Sequence, residues 1–259
     1  MRLISLNTWG GKIYGPLVGF VKREADATDV FCFQELYFSK IPRPEAPWIK
    51  SDLAIELRNE LSDFLMFERL SIKDTRPQNK MSGKDVKIGE AIFVRKSTNI
   101  IERGGFRTYA EDCESVAEKI EPATGVFQFV KVEDNNQDYF IGNIHGIWLP
   151  GSKSDTPKRL EQSSRLKDFI KKQPGKKVLC GDFNLQPNTE SIKLLDSEMR
   201  DLIKEYGIKT TRSRYYADMQ KYADYIADYV FVSSDVEVIN FKVLPDEVSD
   251  HLPLLLEFK

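Results

Sequence analysis

Histidine, the side chain that most readily exchanges a proton near neutral pH, occurs only twice in this 259-residue sequence, at His145 and His251. Both lie at the boundary of an apolar, strand-like stretch. Both also have candidate acidic partners, because Asp250 precedes His251 and Asp228 begins another apolar run. A lone histidine is more often structural than catalytic, and that alternative is stronger for His145. Because both histidines share this setting, we interpret them as parts of a functional site.

A carboxylate and a carboxamide follow a short apolar strand in the second half of the chain. Val178–Cys180 comes after a Pro174–Gly175 break, and Gly181 allows the backbone to turn sharply directly behind it. Asp182 and Asn184 are then placed at a strand end, where α/β proteins commonly bind ligands. There the pair can hold a water molecule and a phosphoryl oxygen together. Taken alone, the segment fits an ordinary turn better.

Three further polar residues end or interrupt apolar strand patterns. Asn7 follows Arg2–Leu6 and precedes a pair of glycines, while Glu35 ends a nearly continuous apolar run typical of a central strand. Glu90 lies inside an apolar stretch, so we interpret it either as an edge-strand position or as a functional acid. These residues predict a polar site at the ends of several strands.

Strand-like and helical patterns alternate along both halves of the sequence. Apolar spacing predicts helices near 17–25, 53–61, 157–170 and 190–195, the third with Thr156 as N-cap and Pro157 in its first turn. A polar loop is predicted over Lys73–Lys87 and a hairpin turn at Asn135–Asn136. Strands are predicted near 2–6, 29–35, 64–72, 88–94, 98–102, 115–120, 126–132, 138–145, 178–180, 226–232, 236–243 and 252–258. We therefore predict an α/β fold of two mostly antiparallel sheets packed face to face with helices outside.

Composition and charge describe a globular protein without a general affinity for polyanions. The formal net charge is −2, the pI is about 5.9 and 41% of residues are hydrophobic, so any polyanion site must be local. No linker, repeat or low-complexity tract divides the chain, and we expect one domain over residues 1–259. The sequence shows neither a signal peptide nor an apolar run of about 18 residues, which favours a cytoplasmic protein without a membrane partner. We also expect a monomer.

The three cysteines favour a reducing compartment over a disulfide framework. Cys32 and Cys180 lie within apolar strands, so we expect buried thiols. Cys113 lies in an acidic loop, and we expect it to be free.

Six segments, in this order and spacing, resemble the endonuclease/exonuclease/phosphatase superfamily, which includes DNase I-like nucleases, deadenylases, neutral sphingomyelinases and inositol polyphosphate phosphatases. The resemblance extends over residues 3–258. It implies a four-layer α/β/β/α sandwich with a magnesium-dependent, phosphoester-cleaving site at one end of the two sheets. The segments are Asn7, Gln34–Glu35, His145, Gly181–Asn184, Asp228–Tyr229 and Ser249–His251.

The resemblance implies a metal site built on Glu35. It makes Glu35 the principal metal carboxylate, with Asn7 beside it and Asp250 as a possible addition. Mg²⁺ prefers octahedral oxygen ligation and keeps several waters, so one carboxylate, one amide and the substrate phosphate are sufficient ligands. We expect Mn²⁺ to be able to substitute.

The resemblance also implies how the remaining polar residues take part in catalysis. Asp182 is expected to orient or deprotonate the attacking water, and Asn184 to donate to the phosphoryl oxygens as charge grows on them. His145 and His251 are expected to contact the same oxygens from the other side.

Two acids are implied as partners of the histidines. Asp228 is expected to fix the tautomer of His251, because an imidazole needs an acceptor on its far nitrogen. Glu90 is implied in the same role for His145 by a looser match, and an ordinary edge-strand glutamate remains an equal alternative.

The leading functional hypothesis is a Mg²⁺-dependent phosphodiesterase acting on nucleic acid, with Trp148, Arg212 and Tyr215 among the substrate-binding residues. Basic and aromatic residues alternate near the predicted site loops, as suits a single-stranded polynucleotide, although an ordinary solvated surface explains them nearly as well. Abasic-site endonucleases of this superfamily have a tyrosine at the position of His145, which counts against that activity. The absence of a long hydrophobic hairpin weakens a sphingomyelinase-like reading.

Two alternatives stay open. The first is a phosphatase of a small phosphorylated metabolite or lipid headgroup. The second is a catalytically silent binding module, which is disfavoured because none of Glu35, Asp182, Asn184 and His251 is missing.

Overall fold

Two six-stranded sheets form the centre of the protein. The computed structural model describes residues 1–39, 47–74, 86–108, 125–149, 152–216 and 225–259. Each sheet contains one parallel pair of strands, and the remaining pairs are antiparallel.

The strands of the first sheet are β1 (Arg2–Asn7), β2 (Val30–Tyr37), β3 (Phe64–Asp74), β4 (Val86–Arg95), β11 (Val238–Val243) and β12 (Leu254–Phe258). Those of the second are β5 (Asn99–Arg107), β6 (Val126–Asp134), β7 (Gln137–His145), β8 (Lys176–Asp182), β9 (Arg200–Asp201) and β10 (Asp228–Val232). The first sheet has the order β11-β12-β1-β2-β4-β3 and the second the order β5-β6-β7-β8-β10-β9. The parallel pairs are β1 with β2 and β7 with β8. The helices of the described residues are α1 (Tyr14–Ala25), α2 (Leu53–Glu60), α3 (Pro157–Lys171), α4 (Glu190–Asp196) and α5 (Leu202–Glu205).

Alternation along the strands divides the core into an inner and an outer part. Leu3 and Cys32 belong to the cluster that packs against the second sheet, whereas their neighbours Ile4 and Phe33 pack against helices α1 and α2. On the second sheet, the rings of Phe127, Phe129 and Phe140 contact Phe169 of α3. The predicted arrangement of two packed sheets with outer helices is therefore confirmed.

Local sequence signals explain several element boundaries. The Thr156 hydroxyl accepts from the Arg159 amide at 3.3 Å and Pro157 opens α3, as predicted. Asn135 and Asn136 have φ values of 50° and 59° and form the two-residue turn between β6 and β7.

Some sequence predictions need correction or lie outside the described residues. Strand β3 extends to Asp74 and β4 begins at Val86, so the loop predicted over Lys73–Lys87 is shorter at both ends. The edge-strand interpretation of Glu90 is wrong, because β4 lies between β2 and β3. The strand predicted at 115–120 and Cys113 lie outside the described residues.

Cys32 and Cys180 are both buried and free, as predicted. No helix of the described residues combines the length and the apolar character that crossing a bilayer requires.

A buried carboxylate at the edge of the second sheet makes stability depend on pH. Burial raises the pKa of Asp201 to about 6, although its side chain accepts from the amides of Lys204 and Ile203, which lowers it. The folded protein therefore binds this proton more tightly than the unfolded chain does. This contribution to stability falls as the pH rises from about 4 through 6.

We expect Asp201→Asn, which keeps a good N-cap for α5, to be more stable than the wild type at pH 7 by roughly 1–2 kcal/mol. The advantage should vanish below pH ~3, where the wild-type carboxyl is protonated in both the folded and the unfolded protein. Urea denaturation at the two pH values measures the difference, with the exposed Asp168→Asn as the control. An equal effect at both pH values would contradict the assignment.

Candidate active site

Five polar residues meet where the central strands end. Asn7 ends β1 and Glu35 lies near the end of its parallel neighbour β2, in the first sheet. His145 and Asp182 end the parallel pair β7 and β8 in the second sheet and lie opposite each other in register. Asp228 begins β10 opposite Asp182. The parallel pairs place the carboxyl ends of strands from both sheets at one site.

Unusual backbone conformations aim the side chains into this site. Gly181 has a φ of +132°, and a Cβ there would lie 2.1 Å from the Ile144 carbonyl oxygen, so the close approach of β7 and β8 requires glycine. Glu35 and Asn184 have φ values of 57° and 58°, in the left-handed region that non-glycine residues rarely adopt. Glu35 also lies at an irregularity in the β2–β4 register between Phe33 and Leu36, which redirects its side chain.

Asn7 joins the two sheets at the centre of the site. Its Nδ2 donates to Glu35 Oε1 at 3.1 Å and to Asp182 Oδ2 at 3.1 Å. Its Oδ1 accepts from the Trp9 amide at 3.0 Å, which fixes the orientation of the carboxamide. Asn7 therefore holds two carboxylates close together in this arrangement.

His145 contacts Glu90 through one ring nitrogen, and its other ring nitrogen lies near two further carboxylates. Its Nδ1 lies 3.3 Å from Glu90 Oε1, and its Nε2 lies 3.7 Å from Glu35 Oε1 and 3.9 Å from Asp182 Oδ2. Burial lowers the pKa of His145, but Glu90, Glu35 and Asp182 together raise it to about 9. Burial also raises the pKa of the fully enclosed Glu90, against the effect of His145. These carboxylates therefore favour the protonated form of His145, and Glu90 orients its ring.

His251 is held in the corresponding way by Asp228. Its Nδ1 lies 2.8 and 2.9 Å from the two Asp228 oxygens, and Asp228 Oδ2 also accepts from the Thr211 hydroxyl at 2.6 Å. The Nε2 atom lies 3.6 Å from Asp182 Oδ2 and contacts the guanidinium of Arg212. Burial and Arg212 lower the pKa of His251, but Asp228, Asp250 and Asp182 outweigh them and raise it.

Asp182 therefore lies between the Nε2 atoms of the two histidines. Burial alone would raise the pKa of Asp182, but His251, Lys153, His145 and Arg212 hold it well below its ordinary value. Its Oδ1 accepts from the Asn184 amide at 2.9 Å. The carboxylate is thus ionised and suited to orienting a water molecule.

Asn184 has a fixed orientation because both ends of its carboxamide have partners. Its Nδ2 donates to the Gly146 carbonyl at 3.0 Å, and its Oδ1 accepts from the Lys153 ammonium. Lysine can only donate, so this contact determines which end of the amide faces Gly146. The amide nitrogen carries a second hydrogen, which remains for a substrate oxygen.

The residues predicted to bind substrate lie in different environments. The Trp148 side chain is 48% exposed, and Tyr215 accepts a hydrogen bond from Arg214 at 3.3 Å. Arg212 instead is only 3% exposed and lies 3.5 Å from Asp250 Oδ2. Arg212, which the sequence predicts to bind substrate, is therefore enclosed within the site and does not lie on an exposed loop surface.

Sequence reasoning missed three residues that support the site. Lys153 is buried beside Asn184, Thr211 donates to Asp228, and Arg159 is fully buried among main-chain carbonyls. The sequence prediction counted Lys153 and Arg159 only among the basic residues near the site loops, for which polynucleotide binding and an ordinary solvated surface were nearly equal interpretations. The available signal was the position of Lys153 in a loop directly before the capped helix α3, which is too common a pattern to identify a site.

The carboxylates of the site fit a hard divalent cation. Burial and the nearby carboxylates Glu35 and Asp182 raise the pKa of Asp250, although His251 and Arg212 lower it. Acids forced this close to one another are stabilised by a bound cation with oxygen ligands. Ligand atoms of Asp182, Asp228 and His251 also lie within 4.8 Å of one another. Asp228 and His251, however, are already hydrogen bonded to each other, which favours Glu35 and Asp250 as the metal carboxylates.

Comparison with known proteins agrees with the fold and the site. The endonuclease/exonuclease/phosphatase family profile matches residues 4–251, and the chain belongs to this family. It therefore belongs to a class of enzymes that hydrolyse phosphate esters. No significant match is found among curated proteins.

Several solved structures share the fold at low sequence identity. A mannosyl-6-phosphatase of Bacteroides thetaiotaomicron is 18% identical, with a TM-score of 0.73, and the match covers 100% of this chain and 99% of that one. D. rerio TDP2 complexed with a single-strand DNA product is 18% identical, with a TM-score of 0.68 and coverage of 100% and 98%. The human Nocturnin catalytic domain with bound sulfate is 16% identical, with a TM-score of 0.68 and coverage of 100% and 93%.

Proposed function

We propose that the protein is a Mg²⁺-dependent hydrolase of phosphate esters in which water attacks phosphorus. The observation that carries the proposal is the position of Asp182, 3.9 Å from His145 Nε2 and 3.6 Å from His251 Nε2, with Asn7 linking it to Glu35. An ionised acceptor surrounded by donors is the arrangement that orients a water molecule toward a phosphoryl group.

Each residue of the site has a separate role in the proposed reaction. Glu35 and Asp250 would hold the metal ion beside Asn7, and the ion would supply positive charge to a phosphoryl oxygen. Asp182 accepts a hydrogen bond from the attacking water and orients it. His145, whose ring Glu90 orients, donates through Nε2 to an oxygen on which negative charge grows.

Asn184 and His251 complete the set of donors. His251 Nε2 lies 3.6 Å from Asp182 Oδ2, and Asn184 is held beside Asp182 by its main-chain amide, which donates to Asp182 Oδ1 at 2.9 Å. Glu90 and Asp228 act through the imidazoles that they orient. Donors that are held in place before the reaction need no rearrangement as charge develops, which is why such sites lower the barrier.

Nucleic acid is the first candidate substrate, which would make the protein a phosphodiesterase. Trp148 and Trp48 are 48% and 58% exposed, and Lys12 lies 3.7 Å from the centre of the Trp9 ring. The charges of Asp250 and Glu35 act on Lys12, so Lys12 and Trp9 adjoin the site. Exposed aromatic and cationic groups at the mouth of a site are suited to stacking bases and to neutralising a backbone.

A small phosphorylated compound is the second candidate. Lys153 and Arg212 favour it, because they place two buried cations within the site, beyond the donors that a diester requires. A mannosyl-6-phosphatase among the structural relatives shows that this fold supports such chemistry.

A substrate panel tests the proposal. We expect hydrolysis of at least one phosphate ester in the presence of Mg²⁺ or Mn²⁺ and its loss in EDTA. The panel should contain single- and double-stranded oligonucleotides, sugar phosphates and inositol phosphates. Activity that survives EDTA would contradict the metal requirement. Failure to hydrolyse any member with either metal would favour a binding module.

A further inference from the structure

Two cations lie buried on the Asn184 and His251 side of the site. Lys153 is 9% exposed and its ammonium contacts Asn184 Oδ1. Arg212 is 3% exposed, and its guanidinium contacts His251 Nε2 and lies 3.5 Å from Asp250 Oδ2. Lys153 and Arg212 interact electrostatically with each other and both with Asp182. Burying like charges together is costly unless the site gains something from both.

The loop that carries Lys153 is held rigidly. The guanidinium of the fully buried Arg159 donates to the carbonyls of Ile147 at 3.1 Å, Ser154 at 2.6 Å and Ser152 at 2.9 Å. The Lys153 carbonyl itself accepts from the Gln186 amide at 3.0 Å. Lys153 is thus positioned by main-chain contacts on both sides, which is unusual for a lysine that only covers a surface.

The position of Arg212 is also fixed, and one of its N–H groups has no hydrogen-bond partner among the described residues. Its guanidinium carbon lies 4.4 Å from the centre of the Tyr216 ring, and the neighbouring Ser213 amide donates to the Asp250 carbonyl at 3.1 Å. Its buried Nε has no hydrogen-bond partner among the described residues. A buried N–H without a partner is uncommon, so the protein does not use every donor of this guanidinium among the described residues.

Whether Lys153 and Arg212 contribute to substrate binding depends on the charge of the phosphate group. An internal phosphodiester has two non-bridging oxygens and one negative charge. The proposed metal ion, His145, His251 and Asn184 already supply partners for those two oxygens. A terminal phosphomonoester has a third non-bridging oxygen and a second charge, which require further cations.

We infer that Lys153 and Arg212 form a clamp that selects a terminal phosphate, carried by a small molecule or by the end of an oligonucleotide, over an internal phosphodiester. The inference rests on the proposed phosphoester hydrolysis and names its substrate class. The clamp is a pair of positioned charges in a site largely closed to water, where ion pairing is stronger than at the surface.

Two esters with the same leaving group test the clamp. Values of kcat/KM for p-nitrophenyl phosphate and methyl p-nitrophenyl phosphate should be compared in the wild type, Lys153→Met and Arg212→Gln. We expect the wild type to prefer the monoester. Each variant should lose activity on both esters, because Lys153 also supports Asn184 and Arg212 also contacts His251, but the loss on the monoester should be about 10- to 100-fold larger, as expected for a lost charge-assisted contact. Lys171→Met and Arg165→Gln, at exposed positions of α3, are the matched controls.

Equal losses on the two esters, or a wild-type preference for the diester, would overturn the inference. If Arg212→Gln does not fold because Asp250 is left unpaired, Lys153→Met decides alone. A sugar phosphate and a 5′-phosphorylated oligonucleotide, compared with the same oligonucleotide lacking that phosphate, distinguish the two sources of a terminal phosphate.

Binding separates this inference from the proposed function. Calorimetric titration with inorganic phosphate and with dimethyl phosphate measures the clamp whether or not any ester is hydrolysed. We expect the wild type to bind phosphate more tightly and Lys153→Met to lose that difference. If the wild type hydrolyses no ester but binds phosphate more tightly than dimethyl phosphate, the proposed function is wrong and the clamp is supported. Equal affinity for the two anions in the wild type would reject the clamp.

Discussion

Replacing His251 with alanine is expected to reduce kcat by at least ~10²–10⁴-fold, the range typical of a positioned acid–base group. The imidazole is almost fully enclosed, with its Nε2 3.6 Å from Asp182 Oδ2 and its Nδ1 2.8 Å from Asp228 Oδ1. Truncation therefore removes the proposed donor to the phosphoryl group and the contacts of the imidazole with Asp228 and Asp182. Steady-state kinetics on the best member of the substrate panel measures the loss.

The partner of His251 should share most of this effect. Asp228→Asn keeps the shape of the side chain but removes the charge that holds the Nδ1 proton, so we expect it to cost much of the same rate. Since both residues act through one imidazole, the Asp228→Asn/His251→Ala double variant should be scarcely slower than His251→Ala alone.

Independent roles would produce multiplicative losses in the double variant. In that case Asp228 would more plausibly ligate the metal, in the group that it forms with Asp182 and His251. Thermal unfolding of all three variants is needed, because Thr211 also donates to Asp228 and loss of that contact can affect the fold.

The second large effect is expected from Glu35→Gln, which should abolish metal-dependent activity while leaving the fold intact. The change removes the ligand charge and preserves the shape, and Asn7 can still contact the side-chain oxygen that now lies 3.1 Å away. The Glu35 side chain is 34% exposed, so the substitution leaves no deeply buried polar group without a partner.

Calorimetric titration with Mg²⁺ separates metal binding from chemistry in this variant. We expect a large loss of affinity in Glu35→Gln and none in Glu161→Gln, whose side chain is 53% exposed on α3. Unchanged Mg²⁺ affinity in Glu35→Gln would reject Glu35 as the main metal ligand and direct attention to Asp182 and Asp228.

Patterns within short segments determined much of the fold. Alternating apolar residues predict β1 and β6, the Thr156–Pro157 pair predicts the start of α3, and the adjacent Asn135 and Asn136 predict a hairpin turn. Each of these signals depends on contacts between residues close together in the chain, which is why sequence alone reveals them. Strand β9 and helix α5 are too short to produce such a signal.

The sequence by itself determined which residues had the chemistry for a site, because histidine is rare and carboxylates recur at strand ends. Only the tertiary structure decided how they meet. The contact between Asn7 and Asp182 joins positions 175 residues apart. The burial of Glu90, Lys153 and Arg212 was likewise hidden, since charged residues normally remain in water. Their burial is tolerated here because opposite charges from distant segments surround each of them, and that compensation exists only in the folded chain.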